Sequence, residues 1–176
     1  LWSSKLTFTT PCVAVTTFPY LDNFNGATWV PSPNTWSPYP TSIDGCWNRT
    51  PVVISYSQFG WVPGTGASSG WQTGPDADKT GTGQYLYAFS DGGQFTDTAR
   101  LVTPQFDLMS MTNPLLTFYV HMYGATVGNL LVQASTNGST WTTIHTISGQ
   151  KQTSGTAPWI EEIVDLTTYK STTTQI

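Results

Sequence analysis

Short segments in which apolar and polar residues alternate run through the second half of the chain, and this period of two constrains the fold more than any other feature. Such alternation is typical of half-buried β-strands, because successive side chains of a strand point to opposite faces of the sheet. In the clearest segment, residues 115–123, the apolar positions of one face are Leu116, Phe118, Val120 and Met122. No helical period extends beyond a turn, so the sequence predicts an all-β protein.

Turn signals between these segments predict how they are connected. Asn137-Gly138 lies between predicted strands at residues 129–135 and 140–147, and this pair readily adopts the positive φ angles of a tight hairpin turn. Further strands are expected at residues 84–90, 99–108, 160–166 and 167–176. Seven or more short antiparallel strands separated by turns predict a two-sheet antiparallel β-sandwich of the jelly-roll type.

The first half of the chain is much less regular. Residues 28–75 contain seven prolines and five tryptophans, and proline lacks the N–H group that pairing between strands requires. We therefore expect a long ordered loop region, interrupted by one short strand at residues 51–56. Residues 1–17 are expected to form a linker or an incoming strand ahead of a domain that occupies residues 18–176.

Charge is scarce, and this excludes several classes of partner. Charged residues make up 9% of the 176 residues and the net charge is −4, against about 25% charged residues in an average soluble protein. Two arginines and four scattered lysines form no basic patch, so binding to nucleic acid or to anionic membranes is not expected. No apolar run approaches the length that spans a bilayer. Threonine and serine supply the polarity, which suits secreted and adhesive proteins, so we expect an extracellular location.

The chain has two cysteines, Cys12 and Cys46. Neither has a companion cysteine or histidine at the spacing of a zinc site. A single disulfide bond is the favoured interpretation, since the composition suggests an oxidising exterior. Two buried thiols are the alternative.

Four motifs of the chain occur together in a fixed order. They are Gly74-Pro75-Asp76-Ala77-Asp78-Lys79-Thr80, Gly83-Gln84-Tyr85-Leu86-Tyr87, Ala99-Arg100-Leu101-Val102-Thr103-Pro104 and Leu116-Thr117-Phe118-Tyr119-Val120-His121-Met122-Tyr123-Gly124. With these motifs the chain resembles the MAM domain, named from meprin, A5 protein and a receptor tyrosine phosphatase. Residues 18–24, the pair Cys46-Trp47 and Trp71 match the opening of the family, with an insertion rich in proline and tryptophan between them.

The resemblance implies a jelly-roll β-sandwich in an extracellular multidomain protein, acting in adhesion or recognition without catalysis of its own. The chain looks most similar to versions found in large secreted or surface-attached proteins of gliding bacteria. Two departures stand out: Lys79 occupies the position of a family histidine, and no strand ending in paired acidic residues follows. We therefore expect that the last strand is missing from this chain, or that the fold is completed differently.

Acidic side chains are candidates for a structural Ca²⁺ site. Asp76 and Asp78 flank Ala77 in a Gly/Pro loop with a threonine hydroxyl nearby, and Ca²⁺ takes oxygen ligands of this kind. The resemblance implies a structural cation near the positions that Asp22 and Asp78 match, so Asp22 joins the candidate set. Alternatively, these aspartates cap turns through their own backbone.

Tryptophans in the loops are candidates for ligand binding. Exposed aromatic rings at one end of a jelly roll can stack on sugars, because the C–H face of a pyranose ring is apolar. The candidates for such a platform are Trp29, Trp36, Trp61 and Trp71. Alternatively, these side chains fold back and cover the edge of the sandwich.

Catalytic chemistry is not expected. His121 and His145 are the only histidines, and no acidic residue is near either of them in the sequence. Triad chemistry needs a histidine that is oriented by a carboxylate and faces a nucleophile, so hydrogen-bonded strand histidines are the simpler interpretation. Glu161 and Glu162 point to opposite faces of one predicted strand, so they do not form the carboxylate pair of a glycosidase.

One short motif suggests a covalent modification. Asp97-Thr98-Ala99 resembles a pattern that some gliding bacteria O-glycosylate, which makes Thr98 a candidate glycosylation site. The alternative is that Thr98 simply begins a strand.

The sequence favours one function over two alternatives. The first hypothesis is a non-catalytic adhesion or recognition module of a large secreted or cell-surface bacterial protein. Its partner would be a surface protein, a glycan or another domain of the same polypeptide. The alternatives are a carbohydrate-binding module attached to a secreted hydrolase, and a spacer or secreted cargo module with no ligand.

Overall fold

The computed structural model of the chain describes residues 12–31, 41–52, 59–68, 70–90, 93–94 and 96–176. Its strands in these ranges are β1 (Asn48–Thr50), β2 (Gly60–Thr65), β3 (Gln84–Phe89), β4 (Arg100–Val102), β5 (Leu115–Val120), β6 (Asn129–Ala134), β7 (Thr142–Ser148) and β8 (Ile160–Asp165). These strands pair antiparallel as β1–β4, β2–β3, β5–β8 and β6–β7. No helix in the described ranges is both long and apolar enough to cross a membrane. The prediction of an all-β, jelly-roll-type sandwich is confirmed.

Strand β5 forms because alternate side chains meet a buried surface. Its predicted apolar face is the inner one, since Val120 is buried and Leu116 and Phe118 are half-buried, whereas the residues between them are exposed. Strand β8 lies beside it with Leu116 opposite Val164, which is also buried. The β5–β8 pair therefore has one face in the core and one face in solvent.

The β6–β7 hairpin covers this inner face. Its turn lies at the predicted position, where Gly138 has a φ angle of 69°. The side-chain oxygen of Asn137 accepts hydrogen bonds from the backbone N–H groups of Ser139 (2.9 Å) and Thr140 (2.8 Å). The buried residues that the hairpin and β5 share in one core cluster are Val120, Met122 and Ile147. The two strand pairs are thus packed face to face, as in a sandwich.

Segments near both ends of the chain also join the sheets. Val15 forms a parallel bridge with Phe106, which in turn bridges Thr174. The described part of the N-terminal segment, predicted as a linker or an incoming strand, therefore pairs with the body of the sandwich. The predicted strand at residues 167–176 is instead a short 3₁₀ helix, Thr167–Tyr169, followed by isolated bridges. The domain boundary at residue 18 and the missing last strand stay predictions.

Strands β1 and β2 both lie inside the stretch predicted as loop, so that prediction was wrong for these residues. Val62 is completely buried and lies opposite Tyr87 of β3. Pro63 lies opposite Leu86 of β3 and is buried, so its missing N–H group does not prevent the pairing of β2 with β3. Most of the strand predicted at residues 51–56 lies outside the described residues.

Cys12 and Cys46 form a disulfide bond, with their Cα atoms 5.6 Å apart. The favoured interpretation of the two cysteines is therefore confirmed. The bond joins the N-terminal segment to the residues just before β1, so it ties these two irregular segments together.

Replacing both cysteines by serine should lower the free energy of unfolding by about 3–4 kcal/mol, because the bond closes a loop of 34 residues. Urea unfolding of the Cys12→Ser, Cys46→Ser double variant beside the parent protein measures this difference. The reduced parent protein serves as the control and should match the double variant. A loss smaller than about 1 kcal/mol would contradict the role given to this bond.

Candidate functional site

The candidate tryptophans lie in very different environments, and Trp29 is a core residue. Its side chain is 3% exposed. It packs edge-on against Phe24 and Trp47, with ring centroids 5.0 Å and 5.5 Å away. Because neither face of this ring is free, Trp29 is removed from the proposed ligand platform.

Trp71 is the described candidate whose ring is open to solvent, with 87% of the residue exposed. Trp61 is half-buried in β2, and its indole N–H donates a hydrogen bond to the carbonyl of Ala99 (3.2 Å). Trp36 lies outside the described residues. Of the described candidates, Trp71 alone presents an open aromatic surface.

The backbone around Trp71 is held at its base by two hydrogen bonds. The N–H group of Ser68 donates to the carbonyl of Pro75 at 2.8 Å, which closes the loop on itself. The N–H group of Gly74 donates to the carbonyl of Tyr123 at 3.3 Å, just beyond the end of β5. Trp71 is therefore displayed from a loop that is tied to the sandwich.

Two of the candidate aspartates are engaged in local contacts. Asp22 accepts hydrogen bonds from the backbone N–H of Phe24 (2.9 Å) and from the indole of Trp47 (3.2 Å). Asp76 lies against Gly155, whose carbonyl accepts a hydrogen bond from the N–H of Asp76 at 2.9 Å. The carboxylate of Asp22 thus binds Phe24 and Trp47, whereas Asp76 is hydrogen-bonded through its backbone.

The third candidate, Asp78, organises the turn that leads into β3. It accepts hydrogen bonds from the hydroxyl of Thr80 (2.7 Å) and from the N–H of Gly83 (2.8 Å). Burial alone would raise the pKa of Asp78, but these hydrogen bonds outweigh burial and hold the pKa below its usual value. An ionised side chain that caps a turn explains the arrangement.

The three aspartates do not converge on one point. Within the described ranges, no three side chains of histidine, cysteine, aspartate or glutamate are grouped as they would be around a metal ion. Asp22, Asp76 and Asp78 therefore offer no joint set of donors, and the carboxylate contacts of Asp22 and Asp78 match the turn-capping alternative. Calcium binding stays a prediction from the sequence, and no function is derived from it.

His121 follows directly after β5 and lies in an enclosed position. Its ring centroid is 5.6 Å from that of Trp159, and an added Cβ at Gly74 would collide with the ring. Both ring nitrogens are buried, and neither has a hydrogen-bond partner among the described residues. The expected hydrogen-bonded strand histidine is therefore not what the structure shows at this position.

Burial lowers the pKa of His121 below its ordinary value of 6.5. The nearby backbone at Ser154 and Ala157 and the carboxylate of Asp76 favour the protonated ring, but they do not reverse the effect of burial. His121 is consequently a neutral, enclosed imidazole at neutral pH.

His145 lies beside an acidic residue, Glu162, which is distant from it in the sequence. Its Nε2 atom lies 2.9 Å from Oε2 of Glu162, so β7 and β8 are joined by an ion pair when the ring is protonated. A histidine–carboxylate pair is part of a catalytic triad, but no hydroxyl or thiol in the described ranges hydrogen-bonds to His145. The geometry therefore fits a contact between strands.

Thr98 is exposed, two residues before β4. The neighbouring Asp97 caps a turn by accepting a hydrogen bond from the N–H of Gln94 at 2.7 Å. A modifying enzyme could reach this hydroxyl, and glycosylation of Thr98 stays a prediction.

Mild acid should destabilise the domain through His121. Because its folded-state pKa lies below the ordinary value of 6.5, the unfolded chain binds the proton more tightly. The free energy of unfolding should therefore fall as the pH drops below about 6.5, by at most about 1.4 kcal/mol per pH unit from this group. Urea unfolding at a series of pH values from about 8 to about 5 measures the slope.

The variant His121→Gln separates His121 from the other groups that titrate in this range. It should lose most of the slope that the parent protein shows. Equal slopes in the parent protein and in His121→Gln would show that His121 does not have the lowered pKa.

Comparisons with known proteins address the family directly. The family model described as MAM domain, meprin/A5/mu, matches residues 52–176. Neuropilin-1a of Danio rerio is 31% identical over 118 residues, which are 62% of this chain and 13% of that protein. Neuropilin-1 of Mus musculus is 37% identical over 79 residues, or 45% of this chain and 8% of that protein. The human MAM domain-containing glycosylphosphatidylinositol anchor protein 1 is 36% identical over 84 residues, or 45% of this chain and 9% of that protein.

The chain thus spans only a small part of each of these relatives. The family model, however, covers well over half of the chain, and the matched region contains the four motifs that carry the resemblance. The chain therefore belongs to the MAM domain family.

Proposed function

We propose that this domain is a non-catalytic recognition module of a large extracellular protein, and that it mediates adhesion. Membership of the MAM family supports the proposal, because the domain is an extracellular adhesion-type module in the neuropilin and anchor-protein relatives. The disulfide bond and the low charge content suit an oxidising, extracellular location. A secreted or cell-surface bacterial parent protein is part of this proposal and is suggested by the threonine-rich composition.

The exposure of Trp71 is the observation that carries the proposal. A large aromatic side chain is normally withdrawn from water, because its burial is strongly favourable. Here the ring is 87% exposed on a loop whose base is closed by backbone hydrogen bonds. Tryptophan is among the residues that contribute most to binding at interfaces, so an open and well-positioned ring is typical of a recognition surface.

The alternative functions differ from this proposal in what surrounds the domain or in what it binds. A carbohydrate-binding module would serve a hydrolase in the same polypeptide. A spacer or a secreted cargo module would bind no ligand, so Trp71 could be replaced without effect on adhesion.

Beads that display many copies of the domain test the proposed function. Multivalent display amplifies weak contacts, so coated beads should adhere to each other or to bacterial and animal cells more than bare beads do. Beads with Trp71→Ala should lose adhesion by about tenfold or more. Trp141→Ala is the matched control, because that ring packs near Arg100, with the guanidinium 5.3 Å from its centroid, and lies in a different part of the fold.

Three results decide the test. Adhesion that Trp71→Ala abolishes and Trp141→Ala preserves supports the proposal. Equal adhesion of bare and coated beads contradicts it and favours a spacer. Equal adhesion of the parent protein and Trp71→Ala would place the recognition surface elsewhere.

A further inference from the structure

The turn at Trp71 combines two features that are unfavourable for an isolated loop. The indole is exposed, and the next residue, Gln72, has a φ angle of 55°, which side chains other than glycine rarely adopt. Gly70 allows the turn to close, because an added Cβ there would collide with the side chain of Thr73. Local strain of this kind is concentrated at functional sites, and here it occurs directly after the exposed ring.

A second loop lies alongside this turn. An added Cβ at Gly124 would come within 3.3 Å of Thr73 Cγ2 and 3.9 Å of the carbonyl oxygen of Gln72. Residues 70–73 and 124–129 together are named the Trp71 tip.

The composition of the Trp71 tip indicates the class of ligand. Neither of its two segments contains a charged residue. Its exposed polar side chains are hydroxyls and amides, namely Gln72, Thr73, Thr126 and Asn129. Side chains that dominate protein–protein interfaces are usually encircled by further contacts that exclude water, whereas Trp71 stands among small and neutral groups.

We propose that the Trp71 tip binds a neutral oligosaccharide, with the indole stacked on the apolar face of a pyranose ring. Gln72 and Thr73 follow Trp71 directly in the turn and both are exposed, so the amide of Gln72 and the hydroxyl of Thr73 can hydrogen-bond to sugar hydroxyls. Acidic glycans are not favoured, because the Trp71 tip has no basic side chain that could pair with their negative charge. This inference rests on the proposed recognition function and names its ligand.

An array of neutral and acidic glycans, probed with a fluorescent tetramer of the domain, tests the inference. Neutral glycans should bind the parent protein, and Trp71→Ala should reduce binding by about tenfold or more, which corresponds to the loss of one stacking contact. Trp71→Phe should retain part of the binding, since it keeps an aromatic face. Trp141→Ala should bind as the parent protein does. Thermal melting of every variant checks that it folds, and the exposure of Trp71 predicts an unchanged midpoint for Trp71→Ala.

The outcomes separate this inference from the proposed function. A blank array, or equal binding by the parent protein and Trp71→Ala, overturns the saccharide site. If the array is blank while coated beads still adhere through Trp71, and protease treatment of the cells abolishes adhesion, then the tip binds a protein and the recognition function stands. If beads do not adhere either, both proposals fail.

Discussion

The indole N–H of Trp159 donates a hydrogen bond to the carbonyl of Ala77 at 3.1 Å, across 82 residues of sequence. Trp159 comes directly before β8. Its ring therefore connects the β5–β8 pair to the loop around Ala77, which belongs to the first of the four family motifs. Tyr85 of β3 and His121 after β5 pack against the same ring, with centroid distances of 5.9 Å and 5.6 Å. One half-buried indole thus fixes a loop, a strand and a strand end relative to one another.

The end of β5 depends on a second side chain from the same segment. The buried amide of Gln152 accepts a hydrogen bond from the N–H of Met122 at 2.6 Å, in place of a neighbouring strand. One residue after Met122, the carbonyl of Tyr123 accepts a hydrogen bond from the N–H group of Gly74. The loop that carries Trp71 is therefore fastened to the segment that follows β5. A loop whose backbone is tied at its base in this way has less freedom to lose when a ligand binds, which reduces the entropic cost of recognition.

Features that depend on neighbouring residues were predictable from the sequence, and features that depend on packing were not. The β5 alternation and the β6–β7 turn are local, so the period of two and the Asn-Gly pair were sufficient to predict them. The prolines of the first half argued against a strand at β2, yet Pro63 pairs with Leu86 of β3. The pairing of His145 with Glu162 follows from how β7 and β8 pack. Trp29 and Trp71 occur in similar loop sequence, and only the tertiary structure buries the first and exposes the second.

Ligand contact at Trp71 can be observed directly in an NMR titration of the indole N–H resonances with a pool of neutral oligosaccharides. The chain has eight tryptophans, and Trp71→Phe identifies the resonance that belongs to Trp71. If Trp71 contacts the sugar, its resonance should shift on titration. The resonance of Trp159, whose indole N–H is hydrogen-bonded to the carbonyl of Ala77, should stay in place. No shift at any indole, or shifts confined to other tryptophans, would contradict this assignment.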